Sequence, residues 1–318
     1  MTPAIKAVDL VKRYKKANFN AVDKINLEVN TGEVYGFLGP NGAGKSTAIN
    51  MFVTSLFPTE GYVQILGVDT KEDPTEIRRM IGVVYQKPSL DEKLTAEENL
   101  RSHAVLYELT SWSPTYKSTS EEYRARVEKI LAIVGLKGRM HDIVKTFSGG
   151  MKRRLDIAKA LLHTPQVLFL DEPTTGIDPQ NRREIWGYLT DLQKEEGFTI
   201  FLTTQYLEEA EICDRISIIN QGKILVTDTP DNLKKMVGDE LLYISPVNGK
   251  EDELKSELIN LSIRYQTDNV GKFIINLENH KAQKVISQIK TELDEISIKR
   301  PTLDDVFIKL TGEKIKWV

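Results

Sequence analysis

A glycine-rich stretch between an apolar strand pattern and a helical pattern is the feature that most constrains this chain. It fits the phosphate-loop pattern G-x-x-x-x-G-K-[ST], and it consists of Gly39, Pro40, Asn41, Gly42, Ala43, Gly44, Lys45, Ser46 and Thr47. Glycines let the backbone curl so that successive N–H groups point inward at an anion, and the following helix adds its positive N-terminal end. This stretch, called the phosphate loop below, predicts a strand–loop–helix unit that binds a nucleoside triphosphate.

Two side chains of the phosphate loop suit a triphosphate and its metal ion. Lys45 can reach the β and γ phosphates, and Ser46 can place its hydroxyl group on Mg²⁺. The alternative is a glycine-rich turn that matches the pattern by accident. A strand pattern over residues 32–38 and a helical pattern over residues 48–52 favour the phosphate loop, because the anion site is built between these two elements.

Composition and charge narrow the classes of protein that fit. The chain has 318 residues, which is enough for about two domains. Its formal net charge of −3 gives no indication of a nucleic-acid partner, and its single cysteine, Cys213, excludes an internal disulfide and fits a reducing compartment. No apolar run is long enough to span a membrane, so a role at a membrane would require a partner.

Apolar patterning predicts the organisation of the larger part of the chain. Residues from about 91 to 165 follow a helical pattern. Two continuous apolar runs, residues 166–170 and 198–203, are typical of parallel strands that are buried on both faces. Strands that alternate with helices indicate an α/β sheet. We therefore predict a first domain over residues 1–237 that includes a helical subdomain at about 91–165.

The remaining residues, 238–318, predict a small accessory domain of another kind. Their pattern has the order β-α-β-β-α-β of a ferredoxin-like fold, with strands at 241–244, 262–265, 272–277 and 295–298 and helices at 251–261 and 280–292. A last helix, at about 302–311, places Leu303, Val306, Phe307 and Leu310 on one face. We find no phosphate loop, metal cluster or acid–base pair in this region, so we expect no catalytic residue there.

Two adjacent carboxylates end the apolar run at 166–170. Asp171 is expected to hold Mg²⁺, directly or through water, as the partner carboxylate of a phosphate loop does. Glu172 would then point at the space beyond the γ-phosphate, where a carboxylate can polarise an attacking water molecule. The alternative is a strand that merely ends in acidic loop residues.

A serine and two glycines open a second helical pattern, over about 151–162. Ser148, Gly149 and Gly150 would form another anion-binding helix N-terminus, although a plain helix cap is the alternative. One chain does not need two such ends for one γ-phosphate. With its phosphate loop, this Ser-Gly-Gly turn and the acidic strand in this order, the chain resembles the ATP-binding cassette (ABC) ATPases, whose signature is the same turn.

The resemblance, which covers about residues 4–236, implies a fold, an assembly and further site residues. The implied fold is a P-loop α/β cassette with a core sheet and a helical subdomain, followed here by the ferredoxin-like α+β domain. Two such cassettes pair head to tail, so that each signature closes on the ATP of the other. Tyr14 matches the aromatic residue that stacks on adenine, Gln86 the glutamine that reaches Mg²⁺ and water, and Asp178 a residue that faces the partner subunit.

One position departs from the general pattern of these ATPases. Most carry a histidine that contacts the γ-phosphate after the strand that corresponds to 198–203, and this chain has Gln205. Glutamine can donate a hydrogen bond but does not change its charge near neutral pH. The segments 203–210 and 301–312 resemble the daunorubicin-resistance-like drug-export branch, so we interpret Gln205 as a trait of that branch.

The resulting hypothesis is the ATP-binding and ATP-hydrolysing subunit of an ABC exporter. It would use ATP and Mg²⁺, act as a homodimer or with a paired cassette subunit, and lie on the inner face of the cell membrane with a separate transmembrane permease. The alternative is an ATP-gated dimerising switch with weak hydrolysis. Cassette ATPases of DNA repair need a long coiled coil, and those of translation carry two cassettes per chain, so neither class fits.

Overall fold

The structure is a computed structural model, and it describes residues 2–15, 17–238, 241–268, 271–277 and 282–312. The chain forms two compact units, residues 1–227 and residues 228–318, called the cassette unit and the C-terminal unit below. In these described ranges, no helix has both the length and the apolar character that a membrane span requires.

The cassette unit alternates strands and helices as the apolar patterning predicts. Its elements are β1 (Ile5–Lys12), β2 (Val22–Val29), β3 (Val34–Leu38), α1 (Lys45–Phe52), β4 (Glu60–Ile65), β5 (Val68–Asp69), α2 (Pro74–Met80), β6 (Ile81–Val84), α3 (Ala96–Leu106), α4 (Glu121–Ile133), α5 (Gly149–Leu161), β7 (Val167–Asp171), α6 (Pro179–Glu196), β8 (Thr199–Thr204), α7 (Leu207–Ala210), β9 (Arg215–Asn220) and β10 (Lys223–Asp228).

The central sheet has six strands in the order β10-β9-β3-β8-β7-β6. Strand β3 runs parallel to both β8 and β9, and β7 runs parallel to β6 and β8. Every residue of β3, β7 and β8 is buried, which explains their continuous apolar sequences. Because the carboxyl ends of parallel strands meet at one edge, the segments that follow β3, β6, β7 and β8 come together there.

Aromatic side chains join the central sheet to helix α1. The Phe52 ring of α1 contacts Phe201 edge-on, with ring centroids 5.3 Å apart, and lies 6.3 Å from Phe169. A second sheet, in the order β2-β1-β4-β5 with antiparallel pairs, contributes further residues to the same apolar core. This packing holds the helix that follows the phosphate loop against the sheet.

The C-terminal unit has the ferredoxin-like order that the sequence predicts. Its elements are α8 (Pro230–Lys235), β11 (Leu241–Pro246), α9 (Glu251–Asn260), β12 (Tyr265–Thr267), β13 (Phe273–Asn276), α10 (Ala282–Gln288), β14 (Leu293–Lys299) and α11 (Leu303–Thr311). The sheet order is β12-β13-β11-β14, with antiparallel pairing throughout. Helices α9 and α10 contribute Leu254, Leu258 and Val285 to the core of this sheet.

Two elements of this unit differ from their predicted bounds by three residues or more at one end, and the others by one or two residues. Strand β12 begins three positions later than predicted, at Tyr265, because Ser262 has a φ of +58° and turns the chain after α9. Helix α10 ends at Gln288, well before residue 292, because the carboxylate of Glu257 accepts the backbone N–H groups of Lys290 and Thr291 at 2.7 and 3.0 Å. The predicted helix start at residues 280 and 281 lies outside the described residues.

Candidate functional site

Close backbone contacts explain why glycine is needed at two positions of the phosphate loop. A Cβ atom on Gly39 would lie 2.3 Å from the carbonyl oxygen of Ile219, which is far inside van der Waals contact. Gly44 has a φ of +106°, and a Cβ atom there would lie 2.4 Å from the carbonyl oxygen of Ala21. Gly44 is also the N-cap of α1. The glycines therefore let the loop pack against neighbouring backbone and turn directly into the helix.

Lys45 is buried at the start of α1 and surrounded by oxygen atoms. Its ammonium group donates to the carbonyl oxygens of Gly39 and Pro40 at 2.9 and 3.2 Å. It also forms an ion pair with Glu172, with 3.0 Å between Nζ and Oε1, and these two side chains are 4% and 7% exposed. The loop thus closes around its own lysine, which is held at the carboxyl edge of the sheet.

Ser46 and Asp171 lie together beside this ion pair. The Ser46 hydroxyl donates to Oδ1 of Asp171 at 3.2 Å, and Thr203 donates to the same oxygen at 2.6 Å. A hydroxyl and a carboxylate are oxygen donors of the kind that Mg²⁺ takes, usually together with water and substrate phosphates. Among the residues that the structure describes, no group of three or more His, Cys, Asp or Glu could hold a metal ion alone. The pair therefore suits a metal ion that arrives with a phosphate.

Glu172 is held by both its backbone and its side chain. Its φ of +47° lies in the left-handed region that non-glycine residues rarely adopt. The backbone N–H of Glu172 donates to the backbone oxygen and to Oγ1 of Thr203, both at 3.1 Å. Oε2 accepts from Gln86 at 3.2 Å and from Thr175 at 3.3 Å. Lys45, Gln86 and Thr175 thus fix the carboxylate, and Thr203 holds the backbone.

Tyr14 and Gln205 differ in their exposure and in their position relative to the phosphate loop. The Tyr14 hydroxyl is 3.3 Å from Oγ1 of Thr47, at the end of the phosphate loop, and the residue is 45% exposed. The ammonium group of Lys12 lies 5.9 Å from the centre of the Tyr14 ring. Gln205 directly follows β8 at the carboxyl edge of the sheet and is 5% exposed. The Tyr14 ring is therefore accessible to a planar ligand, whereas the Gln205 side chain is enclosed.

The predicted signature residues form an exposed patch with Asp178. Ser148 caps α5 by accepting from the backbone N–H of Met151 at 3.2 Å, and Gly149 and Gly150 form the first turn. Asp178 caps α6 and accepts from the side chain of Asn181 at 2.6 Å, which lowers the pKa of Asp178. A Cβ atom on Gly150 would lie 3.4 Å from Asn181. Two helix N-termini therefore lie side by side on this surface.

This exposed patch is separate from the phosphate loop of the same chain. Within the described ranges, no hydrogen bond joins Ser148, Gly149, Gly150 or Asp178 to residues 39–47. The structure thus brings together Lys45, Ser46, Gln86, Asp171 and Glu172 around one cluster. The Ser-Gly-Gly turn and Asp178 make a second surface.

Arg153 connects helix α5 to the segments that follow β6 and β7, and the sequence analysis missed it. This residue of α5 is 3% exposed. Its guanidinium group donates to the backbone oxygens of Tyr85 and Pro173, and to that of Glu172 at 3.3 Å. Burial lowers the pKa of Arg153. The spacing of Arg153 and Asp156, whose charged groups lie 3.7 Å apart on the buried face of α5, is the signal that could have revealed it.

Glu209 is a second buried residue that the sequence analysis missed. It is fully buried, and its carboxylate accepts hydrogen bonds from the hydroxyls of Thr174 and Thr204 and from Nε1 of Trp186 at 3.1 Å. Burial raises the pKa of Glu209. The residue links the segment after Glu172 to the end of β8, directly before Gln205. The side chain of its neighbour Glu208 is 73% exposed. The sequence of two adjacent glutamates does not indicate which of them is buried.

Comparisons with known proteins agree with this arrangement. The ABC transporter family profile matches residues 22–175, and the profile described as ATP-binding protein DrrA1-3-like, C-terminal domain, matches residues 229–311. The daunorubicin/doxorubicin resistance ATP-binding protein DrrA of Streptomyces peucetius is 37% identical over 98% of this chain and 93% of its own length. The linearmycin resistance ATP-binding protein LnrL of Bacillus subtilis is 34% identical over 98% and 99%.

Solved structures give the same result for the cassette unit. A dimeric structure of the ATP-binding cassette MJ0796 in a post-hydrolysis state with ADP and Pi matches with a TM-score of 0.64 and 30% identity, over 71% of this chain and 98% of that chain. The cbiO1 protein of Clostridium perfringens, part of an ABC transporter complex, matches with a TM-score of 0.65 and 28% identity, over 74% and 94%. The chain therefore belongs to the ABC transporter family, within its daunorubicin-resistance-like drug-export branch, as an ATP-binding and ATP-hydrolysing subunit.

Proposed function

We propose that two copies of this chain, or this chain and a related cassette subunit, close head to tail around two Mg²⁺·ATP and drive export through a separate permease. One observation carries the proposal. The residues suited to phosphate, metal and water lie within hydrogen-bond distance of one another, whereas the Ser-Gly-Gly turn faces outward with no bond to them. Each chain thus carries one nucleotide half-site and one Ser-Gly-Gly half-site. A complete site forms only when two chains pair.

In the proposed site, the phosphate loop and Lys45 bind the triphosphate. Gly39 and Pro40 now accept from the ammonium group of Lys45, and phosphate oxygens would replace these weaker acceptors. Ser46, Asp171 and Gln86 would hold Mg²⁺, which when bound neutralises charge on the phosphate oxygens. Tyr14, being exposed beside Thr47, would stack on the adenine.

Glu172 is the proposed general base. Its Oε1 is paired with Lys45, and its Oε2 accepts from Gln86 and Thr175. When Lys45 turns to the phosphates, Oε1 becomes available to accept a proton from the attacking water molecule, while Oε2 stays oriented. The lysine thus keeps the base occupied until a nucleotide binds.

The head-to-tail arrangement predicts that two inactive variants restore activity to each other. Lys45→Ala removes the phosphate half of a site, and Ser148→Arg blocks the signature half. A heterodimer of the two variants retains one site with both halves intact. Random mixing should recover about a quarter of wild-type turnover if the intact site works independently, measured as phosphate release by the purified chains.

A mixture of Lys45→Ala with a chain that carries both substitutions is the control, because it forms no intact pair of halves. A Lys45→Ala and Ser148→Arg mixture that stays as inactive as its components would contradict a site built from two chains. Ser148 is exposed, so its substitution is expected to cost only about 1 kcal/mol through the lost helix cap.

Gln205 is the residue that supports a second candidate function, an ATP-gated switch with weak hydrolysis. Substitution of Gln205 distinguishes this switch from an ATP-hydrolysing exporter subunit. If glutamine suffices as a neutral donor to the γ-phosphate, Gln205→His should change turnover by less than about tenfold, which corresponds to 1.4 kcal/mol. Gln205→Ala should be slower than either. The histidine variant should also acquire a pH dependence from titration of its imidazole, which the wild type lacks, whereas Gln288→His, at an exposed position, should change neither property. A gain of several orders of magnitude in Gln205→His would favour the switch.

The remaining parts of the proposal concern the surroundings of the cassette. We propose that residues 1–237 are the catalytic domain and that residues 238–318 are an accessory domain that stabilises the pair of cassettes. A peripheral position on the inner face of the cell membrane would follow from binding to the permease. We propose no nucleic-acid partner, because a chain with a net charge of −3 lacks the overall positive charge typical of nucleic-acid-binding proteins.

A further inference from the structure

Strand β14 forms an unpaired edge of the C-terminal unit. The strand order places β14 last, next to β11, and in the described part of the chain no strand pairs with its other side. With seven residues, β14 is also longer than β11, β12 and β13, which have six, three and four. An edge strand exposes a row of unpaired N–H and C=O groups that can pair with another strand.

Two isoleucines make this edge apolar. Ile296 and Ile298 are 46% and 50% exposed. They pair with Ile244 and Leu242 of β11, so they lie on the face of the sheet that carries the apolar core. Proteins usually protect a free edge with proline, a bulge or a charge on this face. Over residues 295–299, β14 has no proline and pairs with β11 without a register shift.

The opposite face of β14 carries two opposite charges. Glu295 and Lys299 pair with Ser245 and Leu241 of β11, on either side of Ser297. Within its own chain, Glu295 forms an ion pair with Lys272, and the ammonium group of Lys299 lies 5.1 Å from the centre of the Tyr243 ring. Both contacts are made toward β11 and β13, on the paired side of β14. The unpaired side of the strand is not covered by them.

This pattern is complementary to itself in one register. In an antiparallel pair of two β14 strands centred on Ser297, Ile296 of each copy faces Ile298 of the other, and Glu295 faces Lys299. A register centred on Ile296 would instead place Ile298 against Asp294, and one centred on Ile298 would place Ile296 against Arg300. A two-fold axis at Ser297 is thus the arrangement that matches both faces.

We propose that β14 is a homodimerisation edge, through which two C-terminal units form one continuous sheet across a two-fold axis at Ser297. The inference rests on the proposed role of residues 238–318 in stabilising the pair of cassettes, and it names the surface and the partner. It requires no nucleotide, because none of its contacts involves the phosphate loop. Cassette closure and edge pairing are therefore separable in experiments.

A charge-reversal series in the full-length chain tests this register without nucleotide. Glu295→Lys and Lys299→Glu each place like charges against one another and should weaken dimerisation at least tenfold in sedimentation equilibrium. The double variant restores opposite charges between the copies and should return to within about threefold of the wild type. It does not restore the intrachain pair of Glu295 with Lys272, so recovery reports the contact between copies. Lys284→Glu, an exposed reversal on α10, should leave dimerisation unchanged.

Cross-linking at the axis provides a second measurement that does not depend on affinity. Ser297→Cys should form an intermolecular disulfide under mild oxidation, and Lys284→Cys should not. The single native cysteine, Cys213, is buried. A double variant as weak as the single ones, a wild-type chain that is monomeric without nucleotide, or equal cross-linking at both positions would overturn the edge pairing. A failed mixing experiment with Lys45→Ala and Ser148→Arg would instead reject the head-to-tail site and leave this dimer intact.

Discussion

Replacing Glu172 with glutamine is expected to lower ATP turnover by about 10²- to 10⁴-fold, the usual contribution of a general base. Glutamine has the same shape but cannot take a proton from water. The phosphate loop, Ser46 and Asp171 are unchanged, so nucleotide binding should persist. Since Lys45 no longer pairs with a carboxylate, ATP affinity should not fall. The variant should therefore accumulate in the closed, ATP-bound state, measured by phosphate release and by the ATP that co-elutes with the protein in size-exclusion chromatography.

The control for this prediction is Glu76→Gln, the same chemical change at an exposed position of α2. It should hydrolyse ATP at the wild-type rate and retain no ATP during chromatography. Unchanged turnover in Glu172→Gln would reject Glu172 as the base. A variant that loses ATP binding together with turnover would show that the carboxylate serves the nucleotide rather than the water molecule.

Replacing Lys45 with alanine should act on nucleotide binding and on stability at once. Loss of charge-assisted hydrogen bonds to phosphate, worth about 1.5–3 kcal/mol, should weaken ATP affinity by roughly ten- to a hundredfold. The substitution also leaves Glu172 buried without its cation. Breaking a buried ion pair from one side typically costs about 3–5 kcal/mol of folding free energy, so the chain should unfold at lower denaturant concentration.

A double variant separates these two effects of Lys45. Lys45→Ala with Glu172→Gln removes the unpaired charge, so much of the lost stability should return, whereas ATP affinity should stay low. Nucleotide titration and urea unfolding of the same samples give both quantities. If the double variant is as unstable as Lys45→Ala, the ion pair does not explain the destabilisation. Wild-type ATP affinity in Lys45→Ala would contradict the role of the phosphate loop.

The contiguous motifs were the predictable part of this molecule. The phosphate loop, the Ser-Gly-Gly turn and the acidic end of β7 each depend on backbone geometry within a few residues, so a short stretch of sequence is sufficient to indicate them. The continuous apolar runs likewise predicted buried parallel strands, and the structure confirms this for β7 and β8. The resemblance to ABC ATPases and to their drug-export branch is confirmed by the relatives that match nearly the whole chain.

Residues that act through distant partners were not predictable in the same way. Thr203 binds both Asp171 and the backbone of Glu172 because β7 and β8 are adjacent and in register. Nothing in the local sequence of Thr203 specifies this neighbour. Arg153 similarly reaches backbone oxygens that belong to segments after β6 and β7.

The sequence by itself therefore determined the fold family and the chemical groups available to a nucleotide, since both are encoded over short distances along the chain. Only the tertiary structure decided that Glu209 is buried while Glu208 is exposed, that Lys45 is paired with Glu172, and that β14 ends a sheet. These properties depend on which strands and helices become neighbours. That choice follows from burying the apolar surface of the whole chain, and no single segment carries it.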